Sequence, residues 1–185
     1  MNYAKPNLWI LKSVFFILLL PMAECSYAAV DGYSLEAGEG TQSAIAQIGV
    51  QYSSEWMDQL FSNSSIKGYW EPSLALIDCK KYQNQTGQSD TFYDVGLTPI
   101  LRWQGDSPHG LFGEIGIGLN YMTQKMNNDG KMMSTHFQFG DSVGLGYQFD
   151  NNVSITLKFK HFSNAGIKEP NPAINFGMIN VAYSF

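Results

Sequence analysis

Leu111-Phe-Gly-Glu-Ile-Gly-Ile-Gly-Leu-Asn-Tyr121 is the stretch on which the fold turns. In an extended chain Leu111, Gly113, Ile115, Ile117, Leu119 and Tyr121 share one face, and Phe112, Glu114, Gly116, Gly118 and Asn120 share the other, because successive side chains of a strand point to opposite sides. A strand with lipid on one side and a polar lumen on the other requires this alternation. The pattern recurs in Tyr93–Trp103, in Ile66–Leu76 and in Val153–Ser163, where Val153, Ile155, Leu157 and Phe159 oppose Ser154, Thr156, Lys158 and Lys160. Less regular strands are expected over Tyr33–Gly38, Ala44–Tyr52, Thr135–Phe149 and Ala173–Phe185, giving eight, an even number as bacterial transmembrane barrels require. The expected fold is all-β, an eight-stranded antiparallel transmembrane β-barrel of the outer membrane.

Around these strands the sequence is consistent with export. Residues 1–28 read as a signal peptide, with Lys5 and Lys12 before the apolar run Ser13–Leu20 and small residues at Ser26 and Ala28. Residues 29–185 then form the barrel, and Cys79 is the only cysteine left in that part, so it has no internal disulfide partner. Charged residues make up 15% and aromatic residues 14% of the chain, with a net charge of −5. Soluble domains carry about a quarter charged residues. This balance argues against a nucleic-acid partner and suits a surface that meets lipid. The inward positions Glu71, Asp94, Arg102, Glu114, Lys158 and Lys160 carry both signs and can pair across a lumen. A soluble barrel of the lipocalin type would reverse the faces; the terminal Phe185 and the aromatic strand ends Trp70, Trp103, Tyr147 and Tyr183 argue against it. Ser54–Phe61 is the one helical stretch, with Trp56 and Phe61 suited to a membrane interface.

His161 and Ser163 share parity with Val153, Ile155, Leu157 and Phe159, and so face the lipid. Their neighbours follow from the turns. A three-residue turn Asp150-Asn151-Asn152 pairs Phe149 with Val153 and Asp141 with His161. A two-residue turn would instead rotate Ser142, Gln148 and Asp150 toward lipid, so the three-residue register is expected, with Asn in the left-handed position. Pairing Ser163 with Ala173 across the longer loop places Asn175 on the other flank of His161. From Val153 to His161 the chain rises about 26 Å, or about 20 Å along the normal at a ~40° tilt, in an apolar band about 25 Å tall. The pair therefore sits near the band's outer edge, with the short turns and both chain ends on the periplasmic side. Ionisable groups at membrane depth are costly and usually functional. A Ser, a His and an acid in that place suit nucleophile, general base and orienting group for ester cleavage.

The segment His161-Phe-Ser-Asn-Ala-Gly-Ile-Lys-Glu-Pro-Asn171, supported by Gly68–Glu71, Glu114–Gly118 and Phe139–Phe149, resembles the outer-membrane lipid A 3-O-deacylase (PagL) family. The resemblance implies Ser163 as nucleophile, His161 as base and backbone oxyanion donors at Asn164 and Gly166. It implies lipid A or lipopolysaccharide as substrate partner, a membrane-embedded chain in the Gram-negative outer membrane, and neither metal nor cofactor; a homodimer stays open. Family members can carry Glu as third triad member, fourteen residues after the His, where this chain has Asn175. Either Asn175 fills that role weakly or Asp141 supplies the carboxylate. His109, in a turn, reads as solvated, and His136 as the start of a strand. The competing reading is a non-enzymatic barrel with a structural or surface-binding role, for which His161 and Ser163 would be replaceable. An acyltransferase would need a lumen pocket for its donor, against the outward parity of the pair.

Overall fold

A computed structural model describes residues 30–62, 65–105 and 107–185; the expected signal peptide, residues 1–28, lies outside them. The barrel strands are β1 (Gly32–Gly40), β2 (Ser43–Ser53), β3 (Ile66–Cys79), β4 (Asp90–Gln104), β5 (Gly110–Met122), β8 (Phe137–Gln148), β9 (Val153–Ser163) and β10 (Ile174–Ser184). Two short strands, β6 (Asn127–Asn128) and β7 (Lys131–Met132), form a separate ribbon within the β5–β8 loop. The eight long strands pair antiparallel in the closed order β1-β10-β9-β8-β5-β4-β3-β2. Closure removes every sheet edge, the condition for strands to lie in lipid. The expected eight strands thus form, β9 with the expected ends and the others with ends displaced by up to three residues.

The outer wall is apolar. Leu35, Ile48, Leu111, Leu145, Leu157 and Ile179 are among the large apolar side chains it exposes. The lumen is filled, as an eight-stranded barrel's interior is just wide enough for side chains, and its polar part is an ion network. Lys158 Nζ lies 2.6 Å from Glu36 and 3.0 Å from Glu114, and Arg102 lies 3.2 Å from Glu114. Asn180 donates to Glu36 at 2.7 Å, and Lys160 to Gln47 at 2.6 Å. Glu36, the counter-ion on β1, was not among the inward charges read from the sequence. These features place lipid outside and polar groups inside, opposite to a soluble ligand-binding barrel.

The lumen is not polar throughout. At the end bearing the longer loops, the inward positions Ile77, Phe92, Met122, Phe162 and Phe176 form a buried apolar plug, sealed by Met126 and Met133 from the β5–β8 loop. Alternation specifies which face a residue takes; it does not specify that loop side chains fold down to cover the mouth.

At the opposite end, helix α1 (Glu55–Leu60) occupies the expected helical stretch. Ser54 caps it by accepting a hydrogen bond from the Met57 N–H at 3.5 Å. Trp56 and Phe61 lie with Trp70, Leu101 and Ile115 along a cleft on the outer wall. The Asp150-Asn151-Asn152 turn is at this end too: the Phe149 N–H donates to Val153 O at 2.8 Å. Asn152 takes φ 65°, the left-handed position that Asn tolerates. Both chain ends are here, with Ser184 donating to Asn152 O at 3.0 Å.

Candidate active site

That turn fixes the register of β8 against β9, and the site follows from it. Tyr147 pairs with Ile155, Val143 with Phe159 and Asp141 with His161. On the other flank Asn175 pairs with His161. Both registers are those expected from the sequence. On β9 the even-numbered residues from Ser154 to Phe162 are buried, Ile155, Leu157 and Phe159 are exposed, and His161 and Ser163 are half-buried on the outer face. The site therefore lies on the lipid-facing wall, at the loop end of the barrel.

The imidazole has two polar neighbours that it uses differently. His161 Nδ1 is 2.7 Å from Asn175 Oδ1. A carbonyl oxygen only accepts, so Nδ1 carries a proton, and in the neutral ring the lone pair is on Nε2. Asp141, in register on the opposite flank and half-buried, lies close enough to interact with the ring electrostatically. The structure thus brings together three of the predicted groups, with the hydrogen bond going to Asn175. Ser163, two residues along β9, lies on the same face and pairs in register with Phe139.

The loop leaving Ser163 is firmly tied down. Ala165 and Gly166 both take left-handed backbone, φ 53° and 74°, turning the chain sharply after the serine. Asn164 is 1% exposed. Its Nδ2 donates to Lys168 O at 2.8 Å and, across to the β5–β8 loop, to Ser134 Oγ at 3.1 Å and Thr135 Oγ1 at 3.3 Å. Ser134 Oγ in turn donates to Lys168 O at 2.7 Å. This clamp was not read from the sequence; its only signal there was Asn164 falling within the family-like segment.

The two expected oxyanion donors differ in availability. The Asn164 N–H donates to Asn171 Oδ1 at 2.9 Å, so it is already engaged. The Gly166 N–H has no acceptor among the described residues, and the space where a Gly166 side chain would stand is open. The other histidines lie apart from this site. His109 is 3.2 Å from Phe149 O at the turn end. His136 precedes β8 and does not begin it; it stacks on Tyr121, with Nδ1 2.8 Å from Met122 O. Cys79 is buried in the plug.

This geometry can be set beside known proteins. The family described as lipid A 3-O-deacylase (PagL) matches residues 45–184. The chain is 28% identical over 189 residues to the lipid A deacylase PagL of Bordetella bronchiseptica, covering 100% of both chains. It is 27% identical over 167 residues to that of Pseudomonas aeruginosa, covering 84% of this chain and 92% of the relative. Its fold matches the crystal structure of the outer membrane enzyme PagL with a TM-score of 0.66 at 22% identity, over 83% of this chain and 99% of that one. It also matches Neisserial surface protein A with a TM-score of 0.51 at 12% identity, over 83% and 94% of the two chains. Such a barrel is shared by proteins of different function, so fold alone does not assign the chemistry. The sequence match spans the strands that carry His161, Ser163, Asp141 and Asn175, and with it this outer-membrane β-barrel belongs to the lipid A 3-O-deacylase (PagL) family.

Proposed function

We propose that this protein hydrolyses the ester joining the 3-hydroxyacyl chain to position 3 of lipid A, with Ser163 as nucleophile and His161 as general base. The observation that carries the assignment is the His161–Asn175 hydrogen bond on the lipid-facing wall, which fixes the tautomer of the neutral imidazole so that Nε2 is its basic nitrogen, two residues from a serine on the same face. Membrane depth supports the same reading. The substrate's esters lie where acyl chains meet sugar, and the pair lies near the outer edge of the apolar band, so the ester reaches the serine without lipid A leaving the leaflet.

In this mechanism Nε2 takes the Ser163 proton as Oγ attacks the ester carbonyl carbon. Negative charge collects on the carbonyl oxygen, for which the unengaged Gly166 N–H is the available donor. The Asn164 N–H can join only by exchanging Asn171 for the oxyanion. Collapse breaks the bond to the sugar oxygen, which leaves with the proton from the imidazolium. Water, deprotonated by the same imidazole, then attacks the acyl-serine and releases the 3-hydroxy fatty acid. Asn175 holds the ring and its tautomer; Asp141 supplies the negative charge that favours the imidazolium. All the named groups come from one barrel, so the chemistry requires no second copy.

The test is the mass of lipid A incubated with the refolded protein, beside protein carrying Ser163→Ala. Loss of one 3-hydroxyacyl mass with the intact protein only is the expected result. Loss with both removes Ser163 from the mechanism. Loss with neither favours the non-enzymatic barrel.

A further inference from the structure

The loops at the site's end of the barrel carry Lys80, Lys81, Lys125, Lys131 and Lys168, and the structure distinguishes among them by what holds them and what they line. Lys80 is paired with Glu39 at 3.2 Å, and Lys81 with Asp129 at 2.7 Å. Lys131, on β7, has no carboxylate partner among the described residues. Its Nζ is 3.5 Å from Ala173 O, the carbonyl just before β10 and two residues from Asn175. Lys131 and Asn175 line one shallow recess, together with Thr41, Asn128 and Asp129. The one acidic group there, Asp129, is neutralised by Lys81, so the recess presents a net positive charge beside the residue that orients His161.

Lipid A is a glucosamine disaccharide with a phosphate at each end, and the ring bearing position 3 also bears the phosphate at position 1, with a single ring carbon between the two. If the position 3 ester is at Ser163, that phosphate must lie within one sugar ring of it. We infer that Lys131 binds the position 1 phosphate of the sugar being deacylated, and so sets the substrate's orientation against Ser163. The inference rests on the deacylase reading and adds to it a contact that selects among lipid A species. An ammonium on a short ribbon braced by the Lys81–Asp129 pair can reach a phosphate oxygen as a charge-assisted hydrogen bond. Lys131 is a binding and positioning group and takes no proton in the reaction.

The experiment compares bisphosphorylated lipid A with lipid A lacking the position 1 phosphate and lipid A lacking the position 4′ phosphate. Full-length refolded protein, Lys131→Gln, Lys131→Arg and Lys125→Gln are each assayed; Lys125 is exposed on the same loop but does not line the recess. Lys131→Gln should raise KM about tenfold with kcat nearly unchanged, the effect of one charge-assisted hydrogen bond. The same variant should show almost no penalty on lipid A lacking the position 1 phosphate, and the full penalty on lipid A lacking the 4′ phosphate. Arg should restore most of the affinity, and Lys125→Gln should behave as the intact protein. An equal penalty on all three lipids, a penalty that follows the 4′ phosphate, or no penalty overturns the inference. Binding of the same lipids to the Ser163→Ala protein, with and without Lys131→Gln, reads the contact without turnover. Should the intact protein release no acyl chain, that binding series decides the phosphate contact while the deacylase reading fails separately.

Discussion

Replacing Asn175 by Asp changes one atom and tests how this site stabilises charge. The side chains are isosteric, so Oδ1 stays 2.7 Å from His161 Nδ1 and the ring keeps its tautomer. What is added is a negative charge beside an imidazole that becomes positive only as Ser163 is deprotonated. Two unit charges about 4 Å apart interact by about 1 kcal/mol in water and about 4 kcal/mol at the dielectric of a protein surface. Asn175 is exposed and His161 half-buried, which favours the lower half of that range. A gain of about 1.4–2.7 kcal/mol corresponds to about 10- to 100-fold in kcat. This is far less than the ~10⁴ lost in the comparable Asp-to-Asn change of a buried protease triad, because Asp141 already places a charge on the other flank. Asp141→Asn should therefore lower kcat by about tenfold on its own, and by less than about threefold once Asn175→Asp is present, since neighbouring groups serving one ring do not act additively. The assay is the initial rate of 3-hydroxy fatty acid release from lipid A at saturating substrate. If Asp141→Asn leaves the rate unchanged while Asn175→Asp raises it, Asp141 has no part in the charge. If neither change moves kcat, imidazolium formation does not limit the reaction and the division of roles between the two flanks is refuted.

Other consequences follow from the same geometry. Lys158→Met leaves Glu36 and Glu114 facing each other without their shared cation and should destabilise the barrel by about 3–5 kcal/mol, read as a lower urea midpoint for loss of the heat-modifiable folded band; an unchanged midpoint would mean that the pair is dispensable. Leu157→Arg puts a charge on the lipid wall at a position 65% exposed and should cost about 2–4 kcal/mol when the protein folds into vesicles, whereas folding as efficient as that of the intact chain would contradict the assignment of that face to lipid. Asn164→Ala removes the clamp between the serine loop and Ser134 and Thr135. It should lower kcat by about 10- to 100-fold, the equivalent of about 1–3 kcal/mol of lost hydrogen bonding, without moving the unfolding midpoint. A fall in both together would make Asn164 part of the barrel's stability and not of the site's order.

The sequence by itself determined the barrel and the address of the site. Period-two alternation is a property of each strand's own pleat, so it is visible locally, and a one-residue slip would have turned Ser142, Gln148 and Asp150 into lipid. The short Asp150-Asn151-Asn152 turn then carried the register along β8 and β9 to place Asp141 beside His161, as the structure has it. Even the longer loop gave Asn175 its correct flank. Only the tertiary structure decided what those neighbours do. Register brings two side chains to His161, but the choice of Asn175 for the hydrogen bond depends on rotamers and distances that no spacing encodes. Glu36 meets Lys158 across 122 residues because the barrel closes and both reach the same level of the lumen. The apolar plug, the Asn164 clamp and the place of Lys131 beside Asn175 all depend on how loops fold over the barrel mouth. Loop residues follow no period, and their contacts are set by the closed barrel beneath them.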